Sequence, residues 1–544
     1  MAADSEHPQP ASEHLFLRNA TGLVREVRPL SSLVINYIVG SPVQVLGAGL
    51  FFALSLYPGG NFFLGLLIIT PMMLAYSYTF GLMTAAIPRS GGDYTIVSRV
   101  IHPTVGIVSS VFMLLAQFLS VAFFGIACVT TGIIPGLMAV GLIGGNQTYI
   151  DWANDIAASK GWQFALGSLV IVIASLMFLG GWRWTLRMQN AIFLFTLAGI
   201  VVATLIALFT SRSGFISDFN SFAQPTTGSS DSFHDVISTA QKAGVDTSPG
   251  FSLSNTWPVV GVLAGFSIYT YFSSFIGGEL RSARSLGTAN RMAFAGILNI
   301  VGVVVCVIVF LHTMGTAFVT AGFGGGMPAE LVAPYYFFVA PMIVDSSWLA
   351  AILALSYCLY WPLITYMVFL QPTRMLFAYA FDGLLPSGVA YTSARGHVPY
   401  VAVLVSAIGS LLTLWWSVYN AGDNFFRIVV YAILVQLISM ALVGLAAVVF
   451  PWRRPEMYQA SVTTRTFLGV PLVVIAGLGS IISTVILWII YWQYPALGLT
   501  DKKGLFIWIA ATVVFCLVYY YGARAFQRGR GKDLDYVFHE IPPE

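Results

Sequence analysis

The chain has 544 residues, 57% of them hydrophobic and only 9% charged, and its mean hydropathy is +0.82. A soluble globular domain carries about a quarter of its residues as charges, so this composition excludes a water-soluble protein and places the chain in a membrane. The net charge of +3 reflects arginines in the connections between spans and is no footprint for nucleic acid.

The first 27 residues carry mixed charges and no apolar core, which excludes a cleaved secretory signal; residues 1–28 read as a cytoplasmic tail. A bilayer core about 30 Å thick requires about 20 apolar residues per helix. Such windows follow near 30–57, 62–87, 104–135, 161–181, 188–211, 256–277, 291–320, 347–377, 398–418, 424–450, 468–493 and 504–525, twelve spans of an all-α polytopic membrane protein. The predicted organisation is spans one to five over 29–211, an extracellular loop over 212–255, spans six to ten over 256–450, two further spans over 451–525 and a second cytoplasmic tail over 526–544.

The connections on the side of the two tails hold Arg89, Arg99, Arg183, Arg187, Arg281, Arg284, Arg291, Arg374, Arg395, Arg453, Arg454 and Arg465. The other side holds only Lys160, Arg212, Lys242, Arg427, Lys502 and Lys503. Because basic residues accumulate on the cytoplasmic side, both termini are expected in the cytoplasm and the chain in the inner membrane. The basic stretch from Arg524 to Lys532 is placed to touch anionic lipid.

Cys128, Cys306, Cys358 and Cys516 all fall inside apolar windows without metal-type spacing, which predicts packing residues and neither a disulfide framework nor a zinc site. The longest polar insertions, near 136–160 and 212–255, are external and lack the composition of a separate domain. Asn146-Gln147-Thr148 fits a glycosylation triplet. The run Gly322 to Gly326 is expected to be a flexible external loop, since no strand precedes it and no lysine follows as a phosphate cradle requires.

Span one is interrupted by Gly40-Ser41-Pro42. Proline lacks an N–H and clashes with the carbonyl a turn earlier, and glycine tolerates non-helical angles, so the helix is expected to unwind at 40–43. The freed backbone groups are tolerable in a membrane only if they face protein, water or a solute. Beyond Pro42 a half-helix N-terminus offers N–H donors to a carboxylate, and carbonyls near Val39 and Gly40 offer acceptors to an ammonium group. Span six carries a matching cluster in "AGFSIYTYFSSFIGG", Ala264 to Gly278. Five spans is an odd number, so spans six to ten must sit inverted relative to spans one to five. Inverted repeats opened by broken helices point to a secondary transporter with a solute site at the midplane.

Three stretches resemble one known family. "IPRSGGDYTIVSRVIHPTVG", Ile87 to Gly106, is similar to the segment after span two of the amino acid/polyamine/organocation (APC) superfamily. "GGELRSARS", Gly277 to Ser285, resembles its segment after span six, and "TRMLFAYAFDGLLP", Thr373 to Pro386, the segment that closes span eight. The resemblance covers spans one to ten in the expected order. It implies a leucine-transporter-type fold of five plus five inverted helices, with helices one and six discontinuous, working by alternating access. It carries a substrate role to Ser41, Pro42 and Val43 in the first break, beside the candidate Gly40 already read from the backbone, and to Phe266, Ser267, Ile268, Tyr269 and Thr270 in the second. A register in which Gly47-Ala48-Gly49 forms the first break stays open. Two departures bear on coupling: Tyr271 stands where many relatives have a carboxylate, and Thr196 where proton-coupled relatives have a lysine.

No Asp or Glu lies in mid-span, and buried charges in a bilayer are usually functional, so a zwitterion with a neutral side chain is favoured over a polyamine. Tyr269, Tyr271, Phe272 and Phe266 are candidates to line an apolar or aromatic side-chain pocket, with Gln44 and Gln117 as neutral polar candidates. Ser356, with carbonyls near Val39 and Gly40, is a candidate sodium site, and its other reading is a hydroxyl bonded to its own backbone. Thr365 faces the opposite way, and His312 is expected to be packed or interfacial. Asp93, Arg99, Glu279, Arg281, Arg374 and Asp382 are expected to form a cytoplasmic gate of surface pairs worth about 0–1 kcal/mol each. The expected protein is a permease importing a neutral amino acid, with sodium or a proton as coupling ion and no other cofactor. The alternatives are an uncoupled exchanger or facilitator, a polyamine or other organic-cation transporter, and a sensor that binds without transport. The constellations of an enzyme are absent from the sequence, which leaves oligomeric state open.

Overall fold

The structure is a computed structural model that describes residues 25–40, 42–178, 180–392, 398–420 and 425–531, with 534 and 538. Ser41, a candidate of the first break, lies outside the described residues, as does most of each tail.

Among the described residues eleven helices are long and apolar enough to cross a membrane. They match eleven of the twelve windows, and the exception is span six. Its helix Leu253–Ser267 has 15 residues, too few to cross, and it gives way to the short 3₁₀ turns Phe272–Phe275 and Gly277–Glu279. Span three is longer than its window: Pro103–Ala127 passes through a π-turn at Cys128–Ile133 into Ile134–Gly144. The apolar segment near 136–144 therefore belongs to the span, and the polar insertion begins only with the helix Gln147–Ala158. Several spans are started by a side-chain cap, as at Asn61, Ser252 and Ser346, each accepting from an N–H of the first turn.

Burial sorts the spans from inside to outside. The most apolar window of span one is 88% buried and that of span eight 78%, against 22% for span twelve, so the two helices that carry the first break and the Arg374 motif form the centre. Exposed leucines, valines and phenylalanines on the outer spans, such as Leu194, Phe209, Leu404 and Phe515, form the apolar belt that a bilayer covers. Spans one, two, six and seven pack on one another, and spans three, four, eight and nine do the same.

Span one runs as Pro29–Val39, turns at Gly40, resumes as Pro42–Gln44, widens into a π-turn over Val45–Gly49 and ends as Leu50–Leu56. Both registers for the break thus mark irregular backbone: the α-helix stops at Gly40, and Gly47-Ala48-Gly49 lies in the π-turn. The reason at Gly40 is close approach, because a Cβ there would collide with Asn299 and Thr270.

The glycine run after span seven is not the loose loop its composition suggests. Gly322–Gly326 forms a π-type turn in which Gly326 is pressed against the Val236 carbonyl so closely that no side chain fits. The glycines serve packing against the helix Ser232–Lys242. At the opposite end of the bundle, Val27 bridges Leu280 in parallel, with its N–H on the Glu279 carbonyl at 3.1 Å and its carbonyl accepting from the Arg281 N–H at 3.0 Å.

Candidate functional site

The two breaks lie against each other, and a buried polar network joins them. Asn36 of span one donates to Ser273 Oγ at 3.0 Å and accepts from the Ser273 N–H at 3.0 Å, while Ser32 donates to the same Oγ at 3.0 Å. Thr270 pairs with Ser77 of span two at 2.6 Å. Carbonyls at the end of Pro29–Val39 accept from side chains of neighbouring spans. Asn299 donates to the Tyr37 carbonyl at 2.9 Å and Tyr360 to the Ile38 carbonyl at 2.9 Å. This is the satisfaction that an interrupted helix requires in a water-free interior.

Beside this network lies a partly open cavity lined by Val39, Gln44, Gln117, Ser120, Phe123, Phe124, Gly265, Tyr269, Phe272, Ile364, Val368, Ala432, Ile433 and Gln436. Of the candidates, the structure brings Val39, Gln44, Gln117, Tyr269 and Phe272 to it. A second cavity continues past Phe123, Gly265 and Ile433 to Phe266 and Tyr491. Every described lining side chain of both is uncharged, and together they offer amides, hydroxyls and aromatic faces.

The other candidates stand elsewhere. Tyr271 is fully buried, stacked on Phe80 at 4.1 Å, with its hydroxyl accepting from Gln436 Nε2 at 2.9 Å; it braces the wall without facing the cavity. Ser267, Ile268 and Thr270 are buried in the break. Pro42 and Val43 line a separate crevice with Thr196 and Tyr360. Thr196 Oγ1 donates to the Ser356 carbonyl at 3.0 Å, and Ser356 Oγ donates to Leu353 of its own helix at 2.8 Å. Thr196 and Ser356 are therefore adjacent, while Val39 lines the large cavity, and the donor that reaches the first break from span eight is Tyr360, one turn beyond Ser356.

The charged candidates cluster at the end of the bundle that carries Val27, but not as surface pairs. Arg374 grips Glu279 with two parallel bonds, Nε to Oε1 and Nη2 to Oε2, each 2.9 Å, at side-chain exposures of 4% and 0%. Trp182 Nε1 adds a bond to Oε2 at 2.6 Å. Arg99 Nη2 reaches both oxygens of Asp382 at 2.8 and 2.7 Å, and Tyr94 donates to Oδ2 at 2.7 Å. The weak exposed latch expected from sequence is thus corrected to buried pairs. The desolvation of such pairs is recovered only by good geometry and added donors, both present here. Arg281 stays outside them, its Nε on the Arg25 carbonyl at 3.2 Å. Asp93 is buried without an ion pair among the described residues, bonded to Ser109 and Ser439.

The sequence profile of the amino acid permeases matches residues 30–516, which includes both breaks, the cavity and the buried pairs. The chain belongs to the amino acid permease family. A search of the curated proteins returns no match. As a permease it is a multi-pass membrane transporter for amino acids, and its chemistry is binding and release.

Some site residues of the permease escaped the sequence. Gln436, Ser120, Asn36, Asn299 and Tyr360 carry the signal that marked Gln44 and Gln117, a polar group inside an apolar window. Asn36 precedes the first break by one turn, while the other four lie outside the two broken windows, with no neighbouring motif to single them out. Trp182 and Tyr94, which complete the ion pairs, carry no such signal, because aromatic residues are spread through the whole chain at 14%.

Proposed function

We propose that this permease moves a neutral amino acid across the cytoplasmic membrane by alternating access coupled to an ion, with the solute held between the two helix breaks. The observation that carries this reading is the uncharged cavity at the junction of the breaks. A dication or a second carboxylate there would lack a counter-ion, and an unpaired buried charge is costly. The carboxylate and ammonium of a zwitterion would be met by backbone groups of the interrupted helices, and the side chain by Phe123, Tyr269 and Phe272. Arginine-rich connections on the side of the termini support a cytoplasmic location for both.

A five-plus-five inverted repeat of leucine-transporter type belongs to the same proposal. Its support is that spans one and six are both broken and that spans two and seven, three and eight, and four and nine pack pairwise. Exchange without an ion is the second reading. It is favoured by Tyr271 and Thr196, neutral groups engaged by Gln436 and the Ser356 carbonyl.

Uptake of a panel of labelled amino acids into proteoliposomes, under a sodium gradient, a proton gradient, or no gradient with internal amino acid, tests the proposal. Uphill uptake of a neutral amino acid under one ion gradient is expected. Uptake only against preloaded amino acid establishes exchange instead, and binding without flux in every condition sinks transport.

A further inference from the structure

Asp93 opens the helix Asp93–Val100, is wholly buried, and forms no ion pair among the described residues. Its Oδ2 accepts from Ser109 of span three at 3.2 Å and Ser439 of span ten at 3.0 Å, and those two hydroxyls are 2.8 Å apart. The carboxyl therefore pins a three-way joint between this helix and two spans. The titratable groups that face it are Tyr379 of span eight and Tyr271 of the second break. Tyr94 and Arg99 on its own helix are turned to Asp382, and Glu279 and Arg374 hold each other. Arg453 and Arg454 reach this region from span ten but bind the Ile101 and Arg99 carbonyls, about 9 Å or more along the helix. His102 accepts from the Thr104 N–H at the start of span three. A carboxylate served only by neutral donors is costly to keep charged out of water, and burial, partly opposed by the two serines, pushes this one up to about 7.

The joint communicates with the cavity through span ten. Gln436, which lines the cavity and holds Tyr271, precedes Ser439 by three residues, so the two side chains are neighbours on one helix face. We propose that Asp93 is a proton-binding site of the permease. It holds a proton as the carboxyl O–H while the joint is closed, and releases it to water on the side of the termini when the joint opens. The link to transport rests on the transporter reading above, whereas proton binding itself does not.

The sign follows from linkage. A carboxyl raised in the folded state binds its proton more tightly there, so its contribution to stability is complete below the ordinary value of 3.8 and is lost as pH rises through about 7. The experiment follows thermal unfolding of purified protein from pH 5 to 8 for wild type, Asp93→Asn and Ser439→Ala, and uptake into proteoliposomes as the pH on the side of the termini is varied. The wild-type unfolding temperature is expected to fall with rising pH and the Asp93→Asn profile to be flat. Ser439→Ala, which removes one donor to the carboxylate, moves the fall to higher pH. Wild-type uptake drops about tenfold or less between pH 6 and 8, following the protonated fraction, and Asp93→Asn uptake shows no such slope.

Identical unfolding profiles for wild type and Asp93→Asn overturn the site. If that variant does not fold, an unshifted Ser439→Ala profile overturns it instead. Shifted unfolding with an unchanged uptake slope keeps the proton site and removes its link to transport. Shifted unfolding with no wild-type uptake under any gradient keeps the site and counts against the transporter reading.

Discussion

Arg374 and Glu279 sit almost wholly out of water, with Trp182 Nε1 on the carboxylate and the Trp182 and Phe178 rings 5.4 and 5.8 Å from the guanidinium. Two charges held this way are a structural commitment, since removing one leaves the other buried and unpaired. Glu279→Ala is expected to destabilise the protein by about 3–5 kcal/mol, read as the shift in equilibrium unfolding in detergent. The pair Arg374→Met with Glu279→Leu should recover most of that loss, and equal destabilisation in the double variant would contradict the argument. That these residues share one end of the bundle was legible from the segments after spans six and eight. Their burial was not, because nothing in "GGELRSARS" or "TRMLFAYAFDGLLP" tells that Trp182, from the connection before span five, closes over them. Gly92 shows the same limit: its φ of +52° and the Phe275 ring against its missing Cβ explain the glycine pair Gly91-Gly92 only once the second break is in place.

Span one shows how an element can be read from composition yet completed only by its neighbours. Proline and glycine predict that the helix stops near residue 40, and it does. Carbonyls at its end are met by Asn299 and Tyr360, whose windows seven and eight are more than 250 residues away in sequence. Tyr360→Phe keeps the ring and deletes the donor to the Ile38 carbonyl, leaving a buried acceptor unmet. A loss of about 1–3 kcal/mol is expected, measured by thermal unfolding, and an unchanged unfolding temperature would show that the carbonyl finds another partner. Span six illustrates the converse. Its window has enough apolar residues for a crossing, but the helix ends at Ser267, and beyond it the Ser273 N–H is taken by Asn36 of span one instead of a helical carbonyl.

Across the whole molecule, the buried pairs and the cavity are built from different residues of one structure, and the pairs lie at the end that carries Val27. If the pairs act as the closure of that end, weakening them exposes the cavity from it. With Ser120→Cys as the reporter, Glu279→Gln is expected to raise its rate of modification by a membrane-impermeant thiol reagent several-fold from the side of the termini. The native cysteines serve as the background, since Cys128, Cys306 and Cys516 are buried and Cys358 half-buried. An unchanged rate would place the closure elsewhere. The sequence by itself determined the membrane class, the rough limits of eleven spans, the two interrupted helices and the family, because apolar windows, proline, glycine and short motifs act locally. Only the tertiary structure decided which polar residues share the cavity, that Arg99 takes Asp382 while Arg374 takes Glu279, and that Asp93 is left with two serines. Those outcomes depend on which helix faces meet across hundreds of residues, and in a chain that is 57% hydrophobic the local pattern does not specify such faces.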